Sequence, residues 1–337
     1  MPFRSRLAAL TALTIVPLTA CSGPAQTGTD AGDDGGQVQL VASFYPVEYI
    51  LGRLAGDRAE ITTLTAAGVD PHDVELSPRT VGTIGSADLV VYASGMQPAV
   101  DDAVAQSGSG TTFDVVPAAD LLALRETAEQ HAEHSDDDQH GDDDQHSEDE
   151  HADEEESHDD HGHGAEDPHF WLDPVRYADV ADAVAEELAT VDPDGAQVYR
   201  ANAAALREDL EKLDGELEAG LADCTSREVV TTHDAFGYLG HRYDLHLTGI
   251  SGISPESEPS PARLAEVAAM VEADGLTTVY TEPLLGDAIA RTLEVETGVA
   301  VLTLDPVEGI TDASAGQDYL AVMRANLAAL RQGQGCS

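Results

Sequence analysis

Apolar and polar positions along this chain follow two rhythms. Short runs dense in Val, Leu, Ile and Thr recur at residues 38–44, 60–65, 88–93, 228–232, 245–250, 277–282 and 300–304. Runs of that length, rich in β-branched residues, predict strands. Elsewhere apolar residues return every three or four positions. That spacing predicts helices over 97–106 and 118–130, and one opened by Ser77-Pro78 ahead of strand 88–93. Val175, Ala178, Val180, Ala181, Val184 and Leu188 predict a helix over 174–190. Leu206, Leu210, Leu213, Leu217 and Leu221 share one face of a longer helix over 194–222. In the C-terminal part each strand is followed by a helical stretch, at 235–242, 261–274, 285–298 and 316–331. Such alternation implies an α/β fold with parallel sheets packed between helices.

Two stretches break the rhythm. Residues 126–167 hold 20 Asp or Glu, no Lys or Arg and eight histidines: His131, His134, His140, His146, His151, His158, His161 and His163. With no apolar periodicity, residues 126–166 are expected to be a disordered insert. At the N-terminus, Arg4 and Arg6 precede an apolar or small run over 7–20, too short to span a bilayer and fitting a secretory signal. Leu18-Thr19-Ala20-Cys21 resembles a bacterial lipobox, which implies cleavage before Cys21 and lipid attachment to its sulfur. The Gly-, Ser-, Thr- and Asp-rich residues that follow read as a tether.

Charge and cysteine count narrow the function. The formal net charge is -48 from 64 acidic and 16 basic residues. A chain so acidic is no nucleic-acid binder. With Cys21 lipidated, Cys224 and Cys336 remain as an even pair in an oxidising compartment, where a disulfide tying the C-terminus to the end of the long helix is expected.

The candidate chemistry lies in the histidines outside the insert. His72 follows strand 60–65, His169 opens the ordered region after the insert, and His233 stands just after strand 228–232. Asp305 ends strand 300–304, with Glu308 in the loop beyond. In open α/β sheets ligands bind beyond the carboxyl ends of the strands, where His72, His233, Asp305 and Glu308 all fall. Three imidazoles and a carboxylate suit tetrahedral Zn²⁺, whereas Mn²⁺ prefers more oxygen. His241 and His246, on a helix and in a strand, read as bystanders. Asp173 and Asp234 are candidate acceptors for the second imidazole nitrogens, or else helix caps. Glu282 reads as a cap for the next helix. A closed four-ligand site leaves no position for activated water, so the chain is not read as an enzyme.

Three motifs carry a family resemblance. Gly68-Val69-Asp70-Pro71-His72-Asp73-Val74-Glu75-Leu76-Ser77-Pro78, Asp167-Pro168-His169-Phe170-Trp171-Leu172-Asp173-Pro174 and Thr232-His233-Asp234-Ala235-Phe236-Gly237-Tyr238 resemble the three histidine-ligand loops of the zinc/manganese solute-binding receptors of ABC importers. The resemblance covers about residues 38–332. It implies two parallel-sheet α/β lobes joined by one long rigid helix, with the metal in the inter-lobe cleft. The divisions expected are a signal peptide at 1–20, a lipid-anchored tether at 21–37, an N-terminal lobe at 38–193, a linking helix at 194–222 and a C-terminal lobe at 223–337. Histidine at the third position, where manganese members usually carry Glu, implies Zn²⁺ as the transported ligand. The fourth ligand stays open between Glu308, Asp305 and water. The implied partners are an ABC permease and its ATPase, and the membrane through the lipid anchor. The protein is expected to work as a monomer outside the cytoplasm, anchored to the cell membrane as a lipoprotein. The alternatives are a Mn²⁺ or Fe²⁺ receptor of the same fold and a metal-binding surface adhesin or buffer. The insert reads either as a weak zinc collector that feeds the cleft or as a solvated, metal-sticky loop.

Overall fold

The backbone forms two four-stranded parallel sheets that share one strand order. In this computed structural model residues 37–107, 111–123, 166–253 and 259–337 are described. The expectations for the signal, Cys21, its tether and nearly all of the histidine-rich insert lie outside those residues. The first sheet contains β1 (Val38–Ala42), β2 (Ala59–Thr63), β3 (Leu89–Tyr92) and β4 (Thr112–Asp114), in the order β2-β1-β3-β4. The second contains β5 (Glu228–Thr231), β6 (His246–Gly249), β7 (Thr278–Thr281) and β8 (Ala300–Thr303), in the order β6-β5-β7-β8. Every pairing in both sheets is parallel. In each sheet the order turns back between the first and third strands, which opens a crevice at their carboxyl ends.

Helices α1 (Tyr45–Ala55), α2 (Pro78–Ile84), α3 (Pro98–Ser107) and α4 (Val116–Ala119) belong to the first sheet's region. Then come α5 (Pro174–Val191) and the long α6 (Ala196–Leu221). The second region holds α7 (Gly237–Tyr243), α8 (Pro261–Ala273), α9 (Ala288–Thr297) and α10 (Tyr319–Gly333). Ser77 caps α2 by accepting from the Thr80 N–H, and Asp173 caps α5 by accepting from Val175 and Arg176. Such caps satisfy amides that the first helical turn leaves unpaired.

The structure differs from the sequence expectation in several elements; strand β4 is one that no pattern predicted. Of the helix expected over 118–130, the described residues hold only the end of α4, which stops where Asp120 turns left-handed at φ 49°; residues 124–130 lie outside the described residues. Helix α1 was not anticipated: Pro46 sits in its first turn, where proline is tolerated, and Val47, Ile50, Leu51 and Leu54 are buried at helical spacing. The expected leucine stripe of α6 is buried in full.

Residues Gln37–Ser337 cluster as one compact unit. The main apolar cluster runs from Leu40 and Leu54 through the α6 leucines to Leu239 and Leu330, and a smaller one lies in each sheet's region, around Val90 and around Val279. The long helix is therefore no bare strut; it packs on α5, α1 and α10. Arginines from both regions reach it. Arg53 meets Asp209 at 2.6 Å, Arg242 meets Asp214 at 2.5 Å and Arg324 meets Glu216 at 2.6 Å. Such partly exposed pairs contribute at most about 1 kcal/mol each, so they orient the helix more than they stabilise it. Among the described residues no helix is long and apolar enough to cross a membrane.

Candidate metal centre

Three loops that follow strands, and the turn that begins at His169, converge on one point. After β2, a short 3₁₀ turn, Pro71–Asp73, carries His72. Asp70 opens that turn by accepting the His72 N–H at 2.8 Å. Buried Gln97 holds it from behind, donating to the Pro71 carbonyl at 3.1 Å. His169 is fully buried at the start of the turn Phe170–Leu172. Asp167 accepts the His169 N–H at 2.9 Å and lies 2.8 Å from its Nδ1. His233 stands two residues past β5, also fully buried.

Glu308 follows β8 in a loop shaped by Asp305. The Asp305 Oδ1 accepts the Val307 N–H at 2.8 Å, and Val307 is held at φ 61°. A β-branched residue in that region is strained by roughly 1–3 kcal/mol, which the surrounding packing must hold in place. Val307 is fully buried, and the loop turns Glu308 inward to 3% exposure.

The donor atoms meet closely. The Nε2 atoms of His72, His169 and His233 lie 3.5, 3.2 and 3.5 Å from the Glu308 Oε1. The His72 and His169 Nε2 atoms are 3.3 Å apart. All four donors fall within 4.8 Å of one another, and they are the only such cluster among the described residues. Asp305 is outside the group, as are His241 in α7 and His246 in β6. His246 instead pairs with Glu228 on the neighbouring strand, Nδ1 to Oε1 at 2.6 Å.

Electrostatics reflect this convergence. Burial alone would lower both enclosed imidazoles, but the carboxylates outweigh it. Asp167 and Glu308 raise His169 to about 9, and Glu282 and Glu308 raise His233 to about 10. Burial alone would raise Glu308; the three imidazoles around it hold it well below the usual carboxylate range. Without a metal, protons balance the buried charge.

Two functional side chains differ from those expected. Asp173 caps α5, and the carboxylates found against the buried imidazoles are Asp167 and Glu282. Glu282 does not cap the next helix: it is 3% exposed and lies 2.5 Å from the His233 Nδ1 through Oε2. The signal for Asp167 was local, an acid two residues before a candidate ligand. No local signal existed for Glu282, 49 residues from His233.

Cys224 and Cys336 are joined by a disulfide across a separation of 112 residues, closing the C-terminus onto the end of α6.

Two parallel α/β halves with a buried donor cluster between their loops define a two-lobed binding protein. More narrowly, the chain belongs to the family described as the periplasmic component A of zinc-uptake complexes, whose model matches residues 40–333. The chain is 34% identical over 330 residues to the zinc-binding lipoprotein AdcA of Streptococcus pneumoniae, covering 97% of this chain and 60% of that protein. It thus spans about three fifths of the length of that relative. With the high-affinity zinc uptake system protein ZnuA of Bacillus subtilis it shares 30% identity, covering 93% of each chain. Among solved structures, the Zn(II)-bound ZnuA-like domain of S. pneumoniae AdcA matches at TM-score 0.69 and 32% identity, covering 89% of this chain and 99% of that one. The laminin-binding protein of Streptococcus agalactiae, described as an adhesin with metal-transporting activity, matches at 0.72 and 28%, covering 88% and 99%.

Proposed function

We propose that this protein captures Zn²⁺ through His72, His169, His233 and Glu308 and hands it to the permease and ATPase of an ABC importer. It works outside the cytoplasm, held at the cell membrane by a lipid on Cys21. The observation that carries the reading is the spacing of the four donors. Zinc–ligand bonds of about 2.0–2.1 Å put the corners of a tetrahedron about 3.3–3.4 Å apart. Four of the six donor separations here run from 3.2 to 3.5 Å, and all six fall within 4.8 Å. Three neutral imidazoles and one carboxylate match the borderline-soft preference of zinc and leave the bound site at a formal charge of +1. With four protein donors no position remains for a reactive water, which fits carriage of the ion better than catalysis. The zinc-named relatives and the zinc-bound structure of similar fold support the same ion.

The test is metal content followed by competitive titration. Purified protein should hold one tight Zn²⁺, retained against Mn²⁺ and Fe²⁺. Equal or stronger retention of Mn²⁺ would reject the zinc assignment.

A further inference from the structure

His233 is gripped by a carboxylate from the neighbouring strand. In the second sheet β5 and β7 run side by side, with Thr231 opposite Tyr280. Carrying that register two residues on sets His233 beside Glu282. Both sit at the crevice where the strand order turns back. The Glu282 Oε1 accepts the His233 N–H at 3.0 Å and also the Thr232 hydroxyl. Its Oε2 lies 2.5 Å from the His233 Nδ1, off the straight line of the ring N–H. Among the described residues no Lys or Arg lies within ion-pair distance of this buried carboxylate. A charge buried without a partner costs several kcal/mol, so the imidazole and whatever cation lies beyond it must balance the carboxylate.

The contact also fixes the tautomer. Two unprotonated atoms, each with a lone pair, would repel at such a separation. The proton on Nδ1 is therefore the one kept when a metal binds, and Nε2, which faces the Glu308 Oε1 at 3.5 Å, is the atom that gives up its proton to the ion. His169 is built the same way from the other half of the molecule, with Asp167 at its Nδ1. Each half thus contributes one imidazole already turned and backed by its own carboxylate.

We propose that Glu282 is a positioning residue for metal capture: it keeps His233 an Nε2 donor and raises its affinity for the ion through the ring. The proposal rests on the zinc-site reading above. Carboxylates behind ligating histidines typically contribute 10- to 100-fold in metal affinity.

The test compares Glu282→Gln with His233→Ala and the unmodified protein. Glutamine keeps the size and an acceptor for the His233 N–H but removes the charge and the tautomer preference. Zinc affinity is read by competition with a chromophoric chelator, and folding by thermal melting of the metal-free protein. Glu282→Gln should bind zinc 10- to 100-fold more weakly with the melting temperature moved by only a few degrees. His233→Ala should lose more. Unchanged affinity in Glu282→Gln alongside a weakened His233→Ala would overturn the proposal and leave the site standing. Unchanged affinity in both would overturn the site itself. A second readout needs no variant. Nitrogen-15 NMR of the zinc-loaded, histidine-labelled protein should show zinc on the His233 Nε2 and a proton on its Nδ1. Zinc on Nδ1 would overturn the proposal even if Glu282→Gln failed to fold.

Discussion

The Trp171 indole N–H donates to the carbonyl of Pro306 at 2.7 Å, with both partners buried. Trp171 is two residues past His169, and Pro306 is two residues before Glu308. One hydrogen bond thus joins the loop of His169 to the loop of Glu308. The Tyr319 hydroxyl donates to the Trp171 carbonyl at 2.5 Å, and Phe44 meets the indole edge-on at 5.1 Å. The distance between His169 and Glu308 is set by this packing rather than by the ligands alone.

Replacing Trp171 with Phe should therefore act on both stability and binding. It leaves the buried Pro306 carbonyl without its donor, which costs about 1–3 kcal/mol. The expected result is a melting temperature lower by several degrees and a weaker zinc site. Calorimetry of the metal-free variant and a chelator competition read the two effects separately. Unchanged affinity would mean that the ligand loops hold their positions without this bond.

The donor set makes a graded prediction. His72→Ala, His169→Ala and His233→Ala should each weaken zinc binding by orders of magnitude. Glu308→Gln should weaken it less, because it removes charge but no imidazole. Asp305→Asn should cost stability more than affinity, since Asp305 holds the loop through Val307 and stands outside the cluster. Titration of each folded variant decides. An Asp305→Asn loss larger than that of Glu308→Gln would move the fourth ligand to Asp305.

The two enclosed imidazoles predict opposite pH trends for the empty and loaded protein. Their folded values, about 9 for His169 and about 10 for His233, lie above the ordinary value near 6.5. A raised folded value contributes stability in full below about pH 6.5, and that contribution is lost as pH rises through 9 and 10. Metal-free protein should therefore melt at progressively lower temperature above neutral pH. Zinc competes with the same protons, so apparent zinc affinity should keep rising over that range. Melting curves with chelator and with zinc, taken from pH 6 to 10, check both. A flat chelator series would mean that the empty site holds no such protons.

Closing the chain between Cys224 and Cys336 constrains a segment of 112 residues. In the chain-entropy model a loop that long contributes about 4–5 kcal/mol. Reduction, or replacing both cysteines with Ser, should lower the melting temperature by about 6–8 °C for a chain of this size. Zinc stoichiometry should be unchanged, because Cys224 precedes the amino end of β5 whereas His233 lies past its carboxyl end. Thiol counting on denatured, unreduced protein should find neither cysteine free.

Much of this architecture was legible because it is written locally. The leucine stripe of α6, Ser77 before Pro78 and the strand–helix alternation after residue 228 are each recognisable within a few turns of chain. The four clustered donors were legible for the same reason: each lies just past a strand or a break in the pattern. Two of the features that escaped depend on neighbours distant in sequence. Glu282 stands behind His233 only because β7 lies beside β5 in the sheet order, which no local pattern encodes. Strand β4 has three residues, too few for any period to appear, and it is held in place by pairing with β3. Helix α1 was hidden by Pro46, which looks like a break unless it is placed in the first turn.

The acidic histidine-rich stretch can be tested through its two ends. Ala123 and Glu166 pair as an isolated antiparallel bridge, and the Asp167 N–H donates to the Leu122 carbonyl at 3.0 Å. The Tyr238 hydroxyl accepts the Leu122 N–H at 2.9 Å and donates to the Asp167 carbonyl at 2.7 Å, clasping both sides from α7. Residues before and after the stretch are thus already adjacent, so a short Gly-Ser loop can close the gap with little loop-closure cost. Residues 129–164 carry eight histidines, and none of the four clustered donors. Removing them should leave the fold and one tight zinc site while abolishing several weak sites. Zinc titration calorimetry of the full and shortened proteins reads both classes in one experiment. Loss of the tight site in a shortened protein that still melts cooperatively would show that a donor comes from the removed residues. The four-donor assignment would then need revision at its weakest member. That member is His72, whose side chain at 10% exposure is the most open of the four.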